Sequence, residues 1–162
     1  MPNRSPNTGI LLALSIGFVA CVAGGNVNGG ASKIDEPLVK ILEGNFNQAS
    51  YVIEIEVRDV REVATFRSDS GEVGYIQYSA TGTVLDVLKS SEQWEPFSRE
   101  VEYRFTQEHD PEAGARITKG GRYLVFLMLA DDPSRLWVIG NGAQFEVTPE
   151  LSKTIVKIAE KE

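Results

Sequence analysis

The chain carries one cysteine and one histidine in 162 residues. A single thiol excludes an intramolecular disulfide. A single imidazole leaves few donors for zinc, whose sites usually take three or four ligands with Cys or His prominent. It also leaves His109 as the only possible base for a Ser-His-Asp triad, and no Gly-x-Ser-x-Gly elbow is present. Basic side chains are outnumbered, 16 against 23 acidic, for a net charge of −7. Such a surface repels phosphate backbones and argues against nucleic acid as a partner. No apolar run reaches the roughly 20 residues that cross a bilayer as a helix. The glycine pairs Gly24-Gly25 and Gly29-Gly30 follow no strand, so they form no phosphate-binding loop. Internal repeats and EF-hand loops are also missing. Nothing in the composition calls for a cofactor.

What is present begins at the amino terminus. Met1–Gly9 is polar and holds one basic side chain, Arg4. Ile10–Ala20 is uncharged and apolar, a length that suits the core of a signal peptide. It ends in Phe18-Val19-Ala20-Cys21, where small residues before a cut site let the backbone enter a peptidase. An ordinary secretory signal with a chance cysteine, or a buried apolar helix, are the alternatives on these residues alone.

The ending resembles the lipobox of bacterial lipoproteins, in which a small residue precedes an obligatory cysteine. Phe18 stands where that family carries leucine or another aliphatic residue. The resemblance implies that residues 1–20 are a lipoprotein signal peptide. It also implies that Cys21 is diacylated, becomes the new N-terminus and often gains a third chain. Each buried CH₂ contributes about 0.8 kcal/mol, and two or more chains hold stably. Val22 rather than Asp after the cysteine points to the outer membrane where the host has one. Residues 21–37 then form a lipidated tether. Val22–Ser32 is glycine- and asparagine-rich without charge, and the stretch to Pro37 reaches roughly 20–25 Å as a flexible chain.

From Leu38 the pattern becomes that of a folded domain, residues 38–162. Leu38–Phe46 predicts a short helix ended by Gly44. Tyr51, Ile53, Ile55 and Val57 alternate with Val52, Glu54, Glu56 and Arg58, the period of a half-buried strand. Arg67–Gly74 reads as a polar loop. Tyr75–Leu88 predicts a long second strand with Gly82 inside it, the mark of a bulge or sharp coil. Lys89–Arg99 reads as a polar connection. Val101, Tyr103 and Phe105 alternate in a third strand, and Thr106–Gly121 reads as a long loop. Arg122–Ala130 is apolar throughout and predicts a strand buried on both faces. Leu136–Ile139 and Gln144–Val147 flank Gly140-Asn141-Gly142, a hairpin signal. Thr148 and Pro149 open a last helix with Leu151, Ile155, Ile158 and Ala159 on one face.

The expected architecture is mainly β: a small antiparallel OB-like barrel of five to six strands with a short N-terminal helix and a C-terminal helix. Lipocalin-like and sandwich folds are the alternatives. Tyr51–Val57, Thr83–Lys89 (TVLDVLK) and Lys119–Leu127 (KGGRYLVFL) together resemble the pattern of netrin-like and tissue-metalloprotease-inhibitor-like OB domains, over roughly Gln48–Val147. Animal inhibitors of that superfamily chelate the protease zinc with a free, disulfide-locked N-terminal cysteine. An acylated Cys21 without a second cysteine does not carry that mechanism over, and fold alone does not supply it.

The candidates for chemistry are few. His109 with Glu108, Asp110 or Glu112 is a weak metal set. Asp69, Glu72 and Asp131-Asp132 read more simply as solvated turns than as calcium ligands. The aromatics Tyr75, Tyr78, Trp94, Phe97, Tyr103, Phe105 and Trp137 are available to an OB-type groove, most of them as core. Trp94 and Phe97, beside Pro96 in a polar stretch, are the candidate contact patch. The expected function is that of a membrane-anchored, non-catalytic module of the cell envelope that binds an envelope protein or ligand. A carboxylate-based hydrolase and a netrin-like protease inhibitor are the alternatives.

Overall fold

The computed structural model describes residues 34–91, 99–110, 114–129, 136–140 and 143–161. These residues lie within one unit, Ala31–Glu162. Helix α1 (Glu36–Gln48) takes in the last two residues of the predicted tether, with Pro37 in its first turn. A missing N–H costs nothing there, because the first helical N–H groups have no internal acceptor. Gly44 does not end α1. Leu42 and Phe46, one turn apart, are both buried, and that packing outweighs the roughly 1 kcal/mol a mid-helix glycine costs.

Six strands follow: β1 (Tyr51–Arg67), β2 (Val73–Lys89), β3 (Glu100–Glu108), β4 (Arg122–Leu129), β5 (Leu136–Val138) and β6 (Gln144–Glu146), then helix α2 (Pro149–Ala159). The strand order β1-β2-β3-β5-β4 closes on itself through a β1–β4 pairing, and β6 adds to β4. The fold is the expected mainly-β, OB-like barrel with a helix at each end. One pairing departs from an all-antiparallel barrel: β3 and β5 run parallel, with Tyr103 beside Leu136 and Arg104 beside Trp137.

β1 holds the ring together. Tyr51–Glu56 pair with β4 on one edge, and β1 pairs with β2 along its whole length. The predicted alternation understates its burial, because Val52 is as inaccessible as Tyr51 and Ile53. Leu42 and Phe46 of α1 and Leu151, Ile155 and Ile158 of α2 join the same core, so both faces of β1 are covered here. Beyond Val57 the strand continues to Arg67, where the sequence suggested none. Its register slips at Arg58 and Val63, and these extra residues break the period of two. A turn at Ser68–Glu72 joins it to β2. Ser68 donates its backbone N–H to the Glu72 carbonyl at 2.8 Å, and Gly71 takes a φ of +86°.

Gly82 acts as its position suggested. It pairs with Val57 where the register slips, and a Cβ there would lie 2.8 Å from the Glu56 carbonyl oxygen. The Gly120-Gly121 pair before β4 is equally structural. Gly120 has a φ of +83°, and a Cβ on Gly121 would meet the Tyr123 ring at 2.6 Å. Backbone bonds from Gly120 N–H to Val57 O and from Val57 N–H to Gly121 O fasten this corner to β1.

The predicted hairpin at Gly140 is not formed. β5 and β6 do not pair with each other; both run along the same edge of β4. Leu136–Val138 oppose Leu129–Leu127, and Gln144–Glu146 oppose Val125–Tyr123. Phe126 bridges the break, donating to Ala143 O and accepting from Ile139 N–H. Gly140, with a φ of +71°, follows β5 where the chain leaves this line of pairing. α2 forms as expected: the Thr148 hydroxyl accepts from Leu151 N–H at 3.1 Å, and Leu151, Ile155 and Ile158 are buried.

Tyr103 lies inside the barrel, 1% exposed. Its hydroxyl has no hydrogen-bond partner among the described residues. Burial, with Tyr123 nearby, raises its pKa far above the ordinary phenol value, so it stays neutral. Tyr103→Phe therefore removes an unmet polar group and is expected to raise stability by about 1 kcal/mol, measured by urea unfolding. Gly82→Ala is expected to cost about 1–3 kcal/mol through the clash with Glu56. Gly114→Ala, where a Cβ meets nothing within 4 Å, should change the same midpoint by less than about 0.5 kcal/mol.

Candidate interaction surface

The outer face of β1–β2–β3 is set by register. Arg61, Ser79 and Arg104 stand side by side on successive strands, as do Asp59, Thr81 and Glu102, and then Phe66, Tyr75 and Glu108. Cross-strand partners share a face, so all of these point away from Ala80 and Tyr103 in the barrel. Trp137 of β5 continues the Arg104 row, and Met128 of β4 follows it. Trp137 is half-buried and Met128 is 45% exposed.

Small residues on β2 shape this face. Arg61 on β1 and Glu102 on β3 are not on neighbouring strands, yet their side chains meet at 2.8 Å. Between them lies Ser79, short enough to let them cross, and its hydroxyl donates to the same Glu102 oxygen at 2.6 Å. Farther along, Arg58 reaches Glu100 at 2.6 Å over the strip that holds Gly82. The Ser79 hydrogen bond, then that of Arg61, holds the Glu102 carboxyl below the ordinary glutamate value. Beside this charged lattice Phe66 and Tyr75 oppose each other directly, 50% and 45% exposed.

The structure sorts the predicted aromatics. Tyr103 and Phe105 are core. Tyr78 faces the interior side and stacks on Phe105 with ring centroids 5.2 Å apart. Tyr75 is exposed on the outer face. Trp94 and Phe97, the predicted contact patch, lie outside the described residues, as does Cys21. Phe66 was missed because it follows the polar run Arg58–Glu62. The signal that finds it is symmetry about the Ser68–Glu72 turn, which places Phe66 opposite Tyr75.

Other candidates are dispersed. His109 follows β3 and donates its backbone N–H to Gly74 O at 2.9 Å. Among the described residues no group of three or more His, Cys, Asp or Glu is placed to hold a metal. Glu112, Asp131 and Asp132 lie outside them. Asp69 and Glu72 sit exposed in the hairpin turn. Two carboxylates do share a shallow cleft under α2: Glu54 and Asp86, directly paired across β1 and β2. The Glu54 carboxylate is engaged by Arg122 and that of Asp86 by Val87 N–H, so the pair lends the hydrolase reading no particular support. Among the described residues no helix is long and apolar enough to cross a membrane. No family model and no curated protein matches the chain.

Glu102 contributes stability above its unfolded pKa, and that contribution is lost as pH falls through its lowered folded value. At 51% side-chain exposure the gain is under about 1 kcal/mol. Ser79→Ala should raise the Glu102 pKa toward the ordinary range in a carboxyl-detected NMR titration and flatten the acid limb of the stability profile. An unmoved Glu102 titration would refute the hydroxyl's role.

Proposed function

We propose that the chain is a lipid-anchored, non-catalytic binding module of the bacterial envelope. In this reading Cys21 is acylated, residues 22–35 form the tether, and the OB-like barrel presents its outer β1–β2–β3 face to an envelope protein. The observation that carries it is the Phe66–Tyr75 pair: two half-exposed aromatics, directly opposed across β1 and β2, beside a lattice of Arg–Glu pairs. Large aromatics framed by polar groups are what protein contacts favour. The anchor rests on Phe18-Val19-Ala20-Cys21 after an apolar run of signal-peptide length. Where the host has an outer membrane, Val22 rather than Asp after the cysteine supports placement there, and the Thr83–Lys89 and Lys119–Leu127 patterns support kinship with netrin-like OB domains.

The test is metabolic labelling with an alkyne fatty acid, joined to covalent crosslinking of the full chain in its native membrane. Wild type is expected to take up label and crosslink to a discrete partner. Cys21→Ala should lose the label and most of the crosslink. Phe66→Ser with Tyr75→Ser should keep the label and weaken the crosslinked complex by about tenfold or more. An unlabelled wild type would remove the anchor. A crosslink indifferent to Phe66 and Tyr75 would remove the proposed face.

A further inference from the structure

β3 is paired unequally on its two edges. One edge lies against β2 as far as Glu108. The other meets β5 only at Tyr103 and Arg104. Beyond that point a cleft of about 170 Å³ is lined by β3, Arg116, Ile117, Tyr123 of β4 and Gln144 of β6.

Its floor is apolar, made by Phe105, Ile117 and Tyr123. One wall is built in advance. The buried Gln107 side chain donates to Gly114 O at 3.0 Å and accepts from Arg116 N–H at 2.9 Å, fixing the loop against β3. The Tyr123 hydroxyl is engaged by Thr118 N–H at 3.1 Å. One polar atom in the cleft lacks a partner among the described residues: Gln144 Oε1, buried, accepts no hydrogen bond from them. Arg116 lines the same cleft and is exposed. Among the described residues its side chain enters no ion pair, whereas Arg58, Arg61 and Arg122 each hold a glutamate.

A spare cation and a buried amide acceptor around an apolar floor suit a zwitterion with an apolar side chain. We propose that this cleft binds a free α-amino acid of the leucine type. Its carboxylate meets the Arg116 guanidinium, its ammonium meets Gln144 Oε1, and its side chain lies on Phe105, Ile117 and Tyr123. The volume suits it, since a cavity of about 150 Å³ accommodates a benzene ring. The site is independent of the anchor and of the Phe66–Tyr75 pair.

The test titrates the full chain, in detergent, with L-leucine, 4-methylpentanoic acid and 3-methylbutylamine. Calorimetry gives affinity, and the Ile117 methyl resonance reports the site. L-Leucine is expected to shift that methyl and to bind at least about tenfold more tightly than either analogue, the cost of losing one charge-assisted contact. Arg116→Gln should weaken leucine by a similar factor and leave 3-methylbutylamine unchanged, because the amine has no carboxylate to lose. Gln144→Leu should weaken leucine and spare 4-methylpentanoic acid. Analogues that bind as well as leucine, or an Ile117 methyl unmoved at about 10 mM leucine, would overturn the proposal.

Discussion

The barrel depends on Val52–Glu56 being paired on both edges, with β2 on one side and β4 on the other. Backbone N–H and C=O groups buried from water must be satisfied, and this segment of β1 meets that demand with two neighbours rather than one. Closing a sheet around so few strands requires strong coiling. The slips along β1 and the bare Cα of Gly82, set against Glu56, supply it. The Gly120-Gly121 corner then turns β4 back alongside β1, and the two helices cover what the ring leaves open.

Much of this was legible in the residues. Gly82 announced a bulge, Thr148-Pro149 announced a capped helix, and Arg122–Ala130 announced a buried central strand, formed as Arg122–Leu129. Each rests on local chemistry that one segment states alone. What misled was pairing. Gly140-Asn141-Gly142 has the composition of a hairpin, but whether two flanking strands face each other or line up on a third is decided elsewhere in the chain. The far half of β1 was hidden for a related reason. Beyond Arg58 the alternation fails, and Arg61 has no visible partner until Glu102, two strands away, is seen to receive it. Gln107 read as the start of a loop, although its side chain is what orders that loop.

The same contrast separates the two surfaces described above. On the outer face, charges are consumed by one another, and a partner would find apolar rings on a lattice already satisfied. Along the free edge of β3, polar groups are left over. A surface of the first kind favours contact by shape and apolar area. One of the second favours a small molecule that brings the missing charges. A single small barrel has room for both because β2 occupies one edge of β3, while among the described residues only Leu136 and Trp137 pair along the other.

The line shared by β5 and β6 has a consequence for how the protein tolerates change. In a hairpin the length of the turn fixes the register of its strands. Here each strand is registered separately on β4, so the connection between them sets neither. The cost of lengthening such a loop grows only with the logarithm of its size. The junction between Gly140 and Ala143 is therefore the natural port of this scaffold: a place where new sequence, a fluorophore or even relocated chain ends can enter while Ile139 and Ala143 keep their bonds to Phe126.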